Sequence, residues 1–259
     1  MKFKRYILRE LKDRGHGIGV QSHLGHHMRG LELNTDEARL QYNREVKESV
    51  TEALGEEPTN LGAGFDLENV NLLGVCEGCL GFTSMTSVEK PYYKTTHRSP
   101  EWLHPWILPP VSMLDLRNDE WLRHDPLGSI VYLPRWYLSQ EFEVDCRRNP
   151  RCFNSATESL MKALAEMDAE HINVWWASSH LYQTGTGEEL GRVLQAYEKW
   201  FTDVVDPLVR QGKVIWMTFD EMAEVYLKWE KARQRYERIR GGVGAKRIPT
   251  SPSTTFTSR

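Results

Sequence analysis

The amino-acid sequence predicts an α/β fold with a mainly parallel sheet. Three observations point there. Helix-period and strand-like segments alternate near both ends of the chain, the signature of βαβ units. Gly, Asn and Pro stand at the joints between them. Two histidine features, His23-Leu24-Gly25-His26-His27 and Ser178-Ser179-His180, each fall just past an expected strand. Ligand sites of parallel sheets lie at the carboxyl ends of strands, and a closed sheet would bring these two features together.

The elements follow in order. Phe3, Ile7, Leu8 and Leu11 make an apolar stripe on a helix over 3–14, with Gly15 as its stop. Ile18 to Ser22 is a short strand that runs into the histidines. Asn34 caps a helix from Thr35 to Leu54, with Glu37 completing a capping box and Gly55 ending it. Its inward face is Tyr42, Val46, Val50, Ala53 and Leu54. Between 56 and 153, strands are expected at Asn69–Val75, Gly81–Val88 and Ser129–Leu133, and Pro91–Pro110 reads as a long irregular loop.

From Asn154 or Ser155 a helix runs to Met167, burying Ala156, Leu160, Ala163, Leu164 and Met167. Ile172–Ala177 and Lys213–Thr218 are expected strands. A long helix over 187–211 lies between them, and Thr218 with Glu221 opens a final helix through Met222, Val225, Tyr226 and Trp229. The domain spans 1–240. The Gly, Ser, Thr, Pro and Arg composition of 241–259 predicts a disordered tail.

With 259 residues, 40% hydrophobic and 27% charged, the chain can bury a sizeable core. A net charge of −3 without a basic stripe argues against nucleic acid as partner. No run approaches the roughly 18 apolar residues of a membrane span, and no signal core follows Met1, so the expectation is a cytoplasmic protein with no membrane partner. Cys76, Cys79, Cys146 and Cys152 have the wrong second spacing for a zinc ribbon and read as reduced thiols.

The chemistry-bearing pattern is His23 and His27. Four residues apart on a helical turn, two neutral imidazoles reach one side and can share a divalent cation. His16 and His171, at strand starts, read as structural. His97 and His124 carry no signal. His104, before Pro105-Trp106 in the irregular loop, is a candidate for lining the cleft. Trp102, Trp106, Trp121 and Trp136 either stack on a ligand or pack in the core.

These blocks together resemble the polysaccharide deacetylase family, the chitooligosaccharide-deacetylase homology domain. Gly15-His16-Gly17-Ile18-Gly19 resembles its G-H-E-I-G motif, and His23-x-x-x-His27 its metal histidines. Gly62-Ala63-Gly64-Phe65 follows in family order, and Gly81-Phe82-Thr83-Ser84 resembles its G-F-x-x-x-S strand. Ser178-Ser179-His180 stands where the family has a catalytic histidine, and Lys213 to Met222 resembles its closing strand and helix. The likeness spans approximately residues 5–230.

The resemblance implies a distorted (β/α) barrel and hydrolysis of amide C–N bonds in N-acetylated carbohydrates or related amides. It implies a divalent metal, zinc by preference, on His23 and His27, with His180 as general acid. His26, Asp66, His104 and Trp106 are the expected substrate-binding residues, and His26 or Asp66 is a substitute ligand. The chain departs from the pattern at Gln21, which shifts the histidine pair by two residues, and at Gly62–Asp66, which offers no Arg. No Asp pair precedes His23, so the expectation is a copy lacking the N-terminal strand and its first motif. The competing reading is a non-catalytic carbohydrate-binding or scaffold protein on the same fold.

Overall fold

The computed structural model describes residues 5–22, 36–63, 80–87, 104–108, 124–133, 153–176 and 187–242. Among them are helices α1 (Arg5–Asp13) and α2 (Asp36–Leu54), and strands β1 (Val20–Ser22), β2 (Asn60–Ala63), β3 (Ser84–Ser87), β4 (Trp106–Ile107) and β5 (Val131–Leu133). Helices α3 (Phe153–Glu166), α4 (Glu188–Trp200), α5 (Asp206–Arg210) and α6 (Phe219–Gly242) follow. None of these helices is long and apolar enough to cross a membrane.

The sheet has the order β1-β2-β3-β5-β4. The first four strands are parallel, with Val20 opposite Leu61, Leu61 opposite Met85, and Ser84 opposite Val131. β4 runs antiparallel to β5, Trp106 against Tyr132. The sheet described is open, so the architecture shown is α/β with a mainly parallel open sheet.

Each strand divides its side chains between two faces because successive residues alternate. Val20, Leu61, Met85, Tyr132 and Trp106 join Val50, Leu80 and Phe82 in one core, against which Leu40, Val46 and Leu54 of α2 pack. Val131, Leu133 and Ile107 point to the other face and meet Ala223 and Tyr226 of α6. Burial on both faces explains why Ile130–Leu133 is apolar without alternation. On β2 and β3 the residues between the apolar positions are polar and still buried: Asn60 donates to the Ser84 hydroxyl across 3.0 Å, and Thr86 lies beside them.

A third core stands apart from the sheet. Ala156 and Leu160 of α3 pack on Trp200 of α4 and Leu208 of α5. The expected long helix is present, with a π-helical turn at Phe201–Val205 joining α4 to α5. Pro207 accounts for it: proline has no N–H to donate, and its ring would crowd the Asp203 carbonyl in a regular α-helix.

Local signals are accurate at the helix ends. Gly15 takes φ 87°, and the bonds His16 N–H to Leu11 O (3.0 Å) and Gly15 N–H to Lys12 O (2.7 Å) close a Schellman turn. Thr218 and Glu221 form the expected reciprocal capping box, Thr218 N–H to Glu221 Oε2 at 2.7 Å and Glu221 N–H to Thr218 Oγ1 at 3.2 Å.

Several expectations are corrected. α1 buries no residue: Ile7 and Leu11 are exposed. The helix is held to α2 and the turn after it by polar contacts instead, Arg5 to Glu52, Arg9 Nε to Ala53 O, and Lys12 to Glu56 just past the helix end. The α2 stripe also contains buried Asn43 and Lys47. Met167 falls past the end of α3 and is exposed. Residues 172–176 and 213–218 join no ladder of the described sheet, and Ile215 and Trp216 are exposed. Within the expected loop, β4 is an edge strand with Trp106 and Ile107 both buried. The expected strand at 69–75, the Asn34 cap, the four cysteines and tail residues 243–259 lie outside the described residues, while α6 itself runs through Gly242.

Candidate functional site

Because β1, β2, β3 and β5 are parallel, their carboxyl ends share one edge of the sheet. β1 ends at Ser22, so His23 is the next residue; β2 ends three residues before Asp66. β4 is antiparallel, so the chain enters it from that same edge and His104, two residues earlier, stands there too. His23, His26, His27, Asp66 and His180 lie outside the described residues. Of the residues named from sequence, the structure therefore places His104 and Trp106. Trp106 is 8% exposed and its ring stacks on Tyr132 with centroids 4.4 Å apart, so it is a core side chain of the sheet.

His104 meets two residues that sequence reasoning left aside. His171 stacks on it, ring centroids 4.4 Å apart and planes 10° from parallel, and Asp168 Oδ2 lies 2.7 Å from His171 Nδ1. One donor atom from each of the three lies within 4.8 Å of the others.

Asp168 and His171 sit in the turn after α3, which is tied by its own polar groups. Asp168 Oδ1 accepts the Glu170 N–H at 2.7 Å. Asn173 accepts the Asp168 N–H at 3.1 Å, and donates to the Asp168 carbonyl at 2.6 Å and the His171 carbonyl at 3.0 Å. The Asp168 carboxyl is held below its ordinary value, first by the Glu170 N–H, then by the bond to His171 and the charges of His171 and His104. A carboxylate and two imidazoles in this arrangement can hold a borderline divalent cation or relay a proton. The Asp168-x-x-His171 spacing was a visible signal; the approach of His104 was not.

No family model, curated protein or solved structure matches this chain.

A second titratable cluster lies behind β4. His124 Nδ1 accepts the Ile107 N–H at 3.2 Å, which leaves the ring proton on Nε2 to donate to Glu230 Oε1 at 3.2 Å. Glu230 is only 2% exposed. Arg233 grips both of its oxygens at 3.1 Å, and Gln234 donates to Oε1 at 3.0 Å. Burial pushes the Glu230 carboxyl up, but the bonds from Arg233 and Gln234 and the nearby charges prevail and hold it below the ordinary value. Tyr226, one turn earlier, is pushed up by burial and by the Glu230 charge. Every polar atom named in this cluster is engaged, so it acts as a clamp on α6.

Proposed function

We propose that this chain is a metal-dependent hydrolase of amide C–N bonds, of the polysaccharide-deacetylase kind, acting on N-acetylated carbohydrates or related small amides. One observation carries the reading. β1 and β2 are parallel and end at one sheet edge, at Ser22 and Ala63, and β4 is entered from that edge past His104. Ligand sites of parallel sheets form there.

His23 and His27 are the ligands in this reading. Two neutral imidazoles suit zinc and its borderline neighbours rather than calcium or magnesium. The bound ion would polarise the amide carbonyl and lower the pKa of a water. In this reading Asp66 takes the proton of the water as its oxygen bonds to the carbonyl carbon, His180 gives a proton to the amine nitrogen as the C–N bond breaks, and His26 orients the acyl group.

The test is acetate release from N-acetylglucosamine oligomers by the full chain with one equivalent of Zn²⁺. Release above the protein-free background, lost in His23→Ala and His27→Ala, supports the reading. Oligomer binding without acetate release overturns it in favour of a carbohydrate-binding protein on the same fold.

A further inference from the structure

We infer that His104, Asp168 and His171 form a divalent-cation site that needs neither His23 nor His27 as a ligand. Three observations converge on it. The donor atoms of the three residues lie within 4.8 Å of one another. Ligands around a tetrahedral zinc-type ion, at bonds of about 2.1 Å, stand about 3.4 Å apart, so closure needs on the order of an ångström of contraction.

The Asp168–His171 half is held in one turn by its own hydrogen bonds. Asn173 fixes the turn through three hydrogen bonds, and the Glu170 N–H anchors Asp168 Oδ1. Oδ2 and His171 Nδ1 stand 2.7 Å apart, and an ion bound by both would open that distance to about 3.4 Å. Little conformational freedom remains to be lost there on binding.

Access and ligand chemistry agree. The side chains of His171 and Asp168 are 39% and 42% exposed, which leaves a route for a hydrated ion. One carboxylate with two neutral imidazoles matches zinc, cobalt or nickel and leaves a fourth position for water. The 10° stack must open, because two parallel rings cannot aim their in-plane nitrogens at one ion. His104 is the ring that turns, since His171 is tethered to Asp168.

The experiment titrates Co²⁺ into the EDTA-stripped full chain carrying His23→Ala and His27→Ala, followed by calorimetry and visible absorption. One equivalent is expected to bind with a low-symmetry cobalt spectrum. Adding His171→Ala should abolish it, and Asp168→Asn or His104→Gln should weaken it at least tenfold. Circular dichroism verifies that each variant is folded, and His104→Gln, on a different segment, repeats the test if His171→Ala is not. Absence of bound Co²⁺ in the double variant overturns the site, as does binding unaffected by these substitutions. Failure of the hydrolase reading shows separately, as equal metal uptake by the wild-type chain and the double variant.

Discussion

His124 and Glu230 meet across 3.2 Å between the segment beside β4 and the middle of α6. The carboxylate is buried on the helix, while the other imidazole nitrogen accepts the Ile107 N–H. This single side chain thus links the edge strand to the helix that covers its neighbour β5.

The clamp gives stability a defined acid limit. The folded Glu230 carboxyl titrates below its ordinary value of 4.5, so on acidification the unfolded chain takes up the proton first. The contribution is complete above about pH 4.5 and is lost as pH falls through the lower folded value. Glu230→Gln should cost about 2 kcal/mol near neutrality, since charged hydrogen bonds to Arg233 are lost from a buried site. Thermal melts from pH 7 to pH 3 should show the two proteins converging at the acid end. A constant gap across that range would remove Glu230 from the account.

Lys47 of α2 is 7% exposed, and its ammonium donates to the Leu80 carbonyl and to Glu57 at 2.7 Å, 5.3 Å from the centre of the Phe82 ring. Lys47→Met keeps the packing and leaves the buried carbonyl without this donor, a loss of about 2 kcal/mol. Glu57→Gln should shift a urea midpoint far less, because Glu57 is exposed. Equal effects of the two substitutions would place the stabilisation in the ion pair rather than in the Leu80 bond.

Two glycines should respond oppositely to alanine. A Cβ on Gly128 would overlap the Leu108 carbonyl oxygen and stand 2.9 Å from Ile107 Cγ2, so Gly128→Ala should cost about 3 kcal/mol by forcing β4 from β5. Gly191, inside α4, has open space around it. Gly191→Ala should stabilise by about 1 kcal/mol through helix propensity. Denaturant melts of the pair read both signs in one experiment.

The cap of α6 can be removed by itself. Thr218→Ala deletes the hydroxyl that accepts the Glu221 N–H and should cost about 1 kcal/mol. Thr218→Ser should restore most of it. A serine variant no better than alanine would show that the Thr methyl, against Gly17, matters more than the hydroxyl.

Features carried by three to five neighbouring residues were legible without the structure. The Gly15 stop, the Thr218–Glu221 box and the β5 core run come from such local rules. β2 and β4, at four and two residues, are too short to show a period; they are strands because a neighbouring strand takes their hydrogen bonds. Met167 fails for a related reason, since a stripe read one residue past the helix end no longer faces the core.

The site divides along the same line. By itself the sequence determined a mainly parallel α/β order and the placing of His23 directly after a strand, since both follow from alternation along the chain. Only the tertiary structure decided that Trp106 stacks in the core on Tyr132 and that His171 lies against His104. The antiparallel pairing of β4 and the Asn173-tied turn bring those imidazoles together. Contacts between segments so distant in sequence depend on sheet order and loop geometry, which leave no periodic trace in the residues themselves.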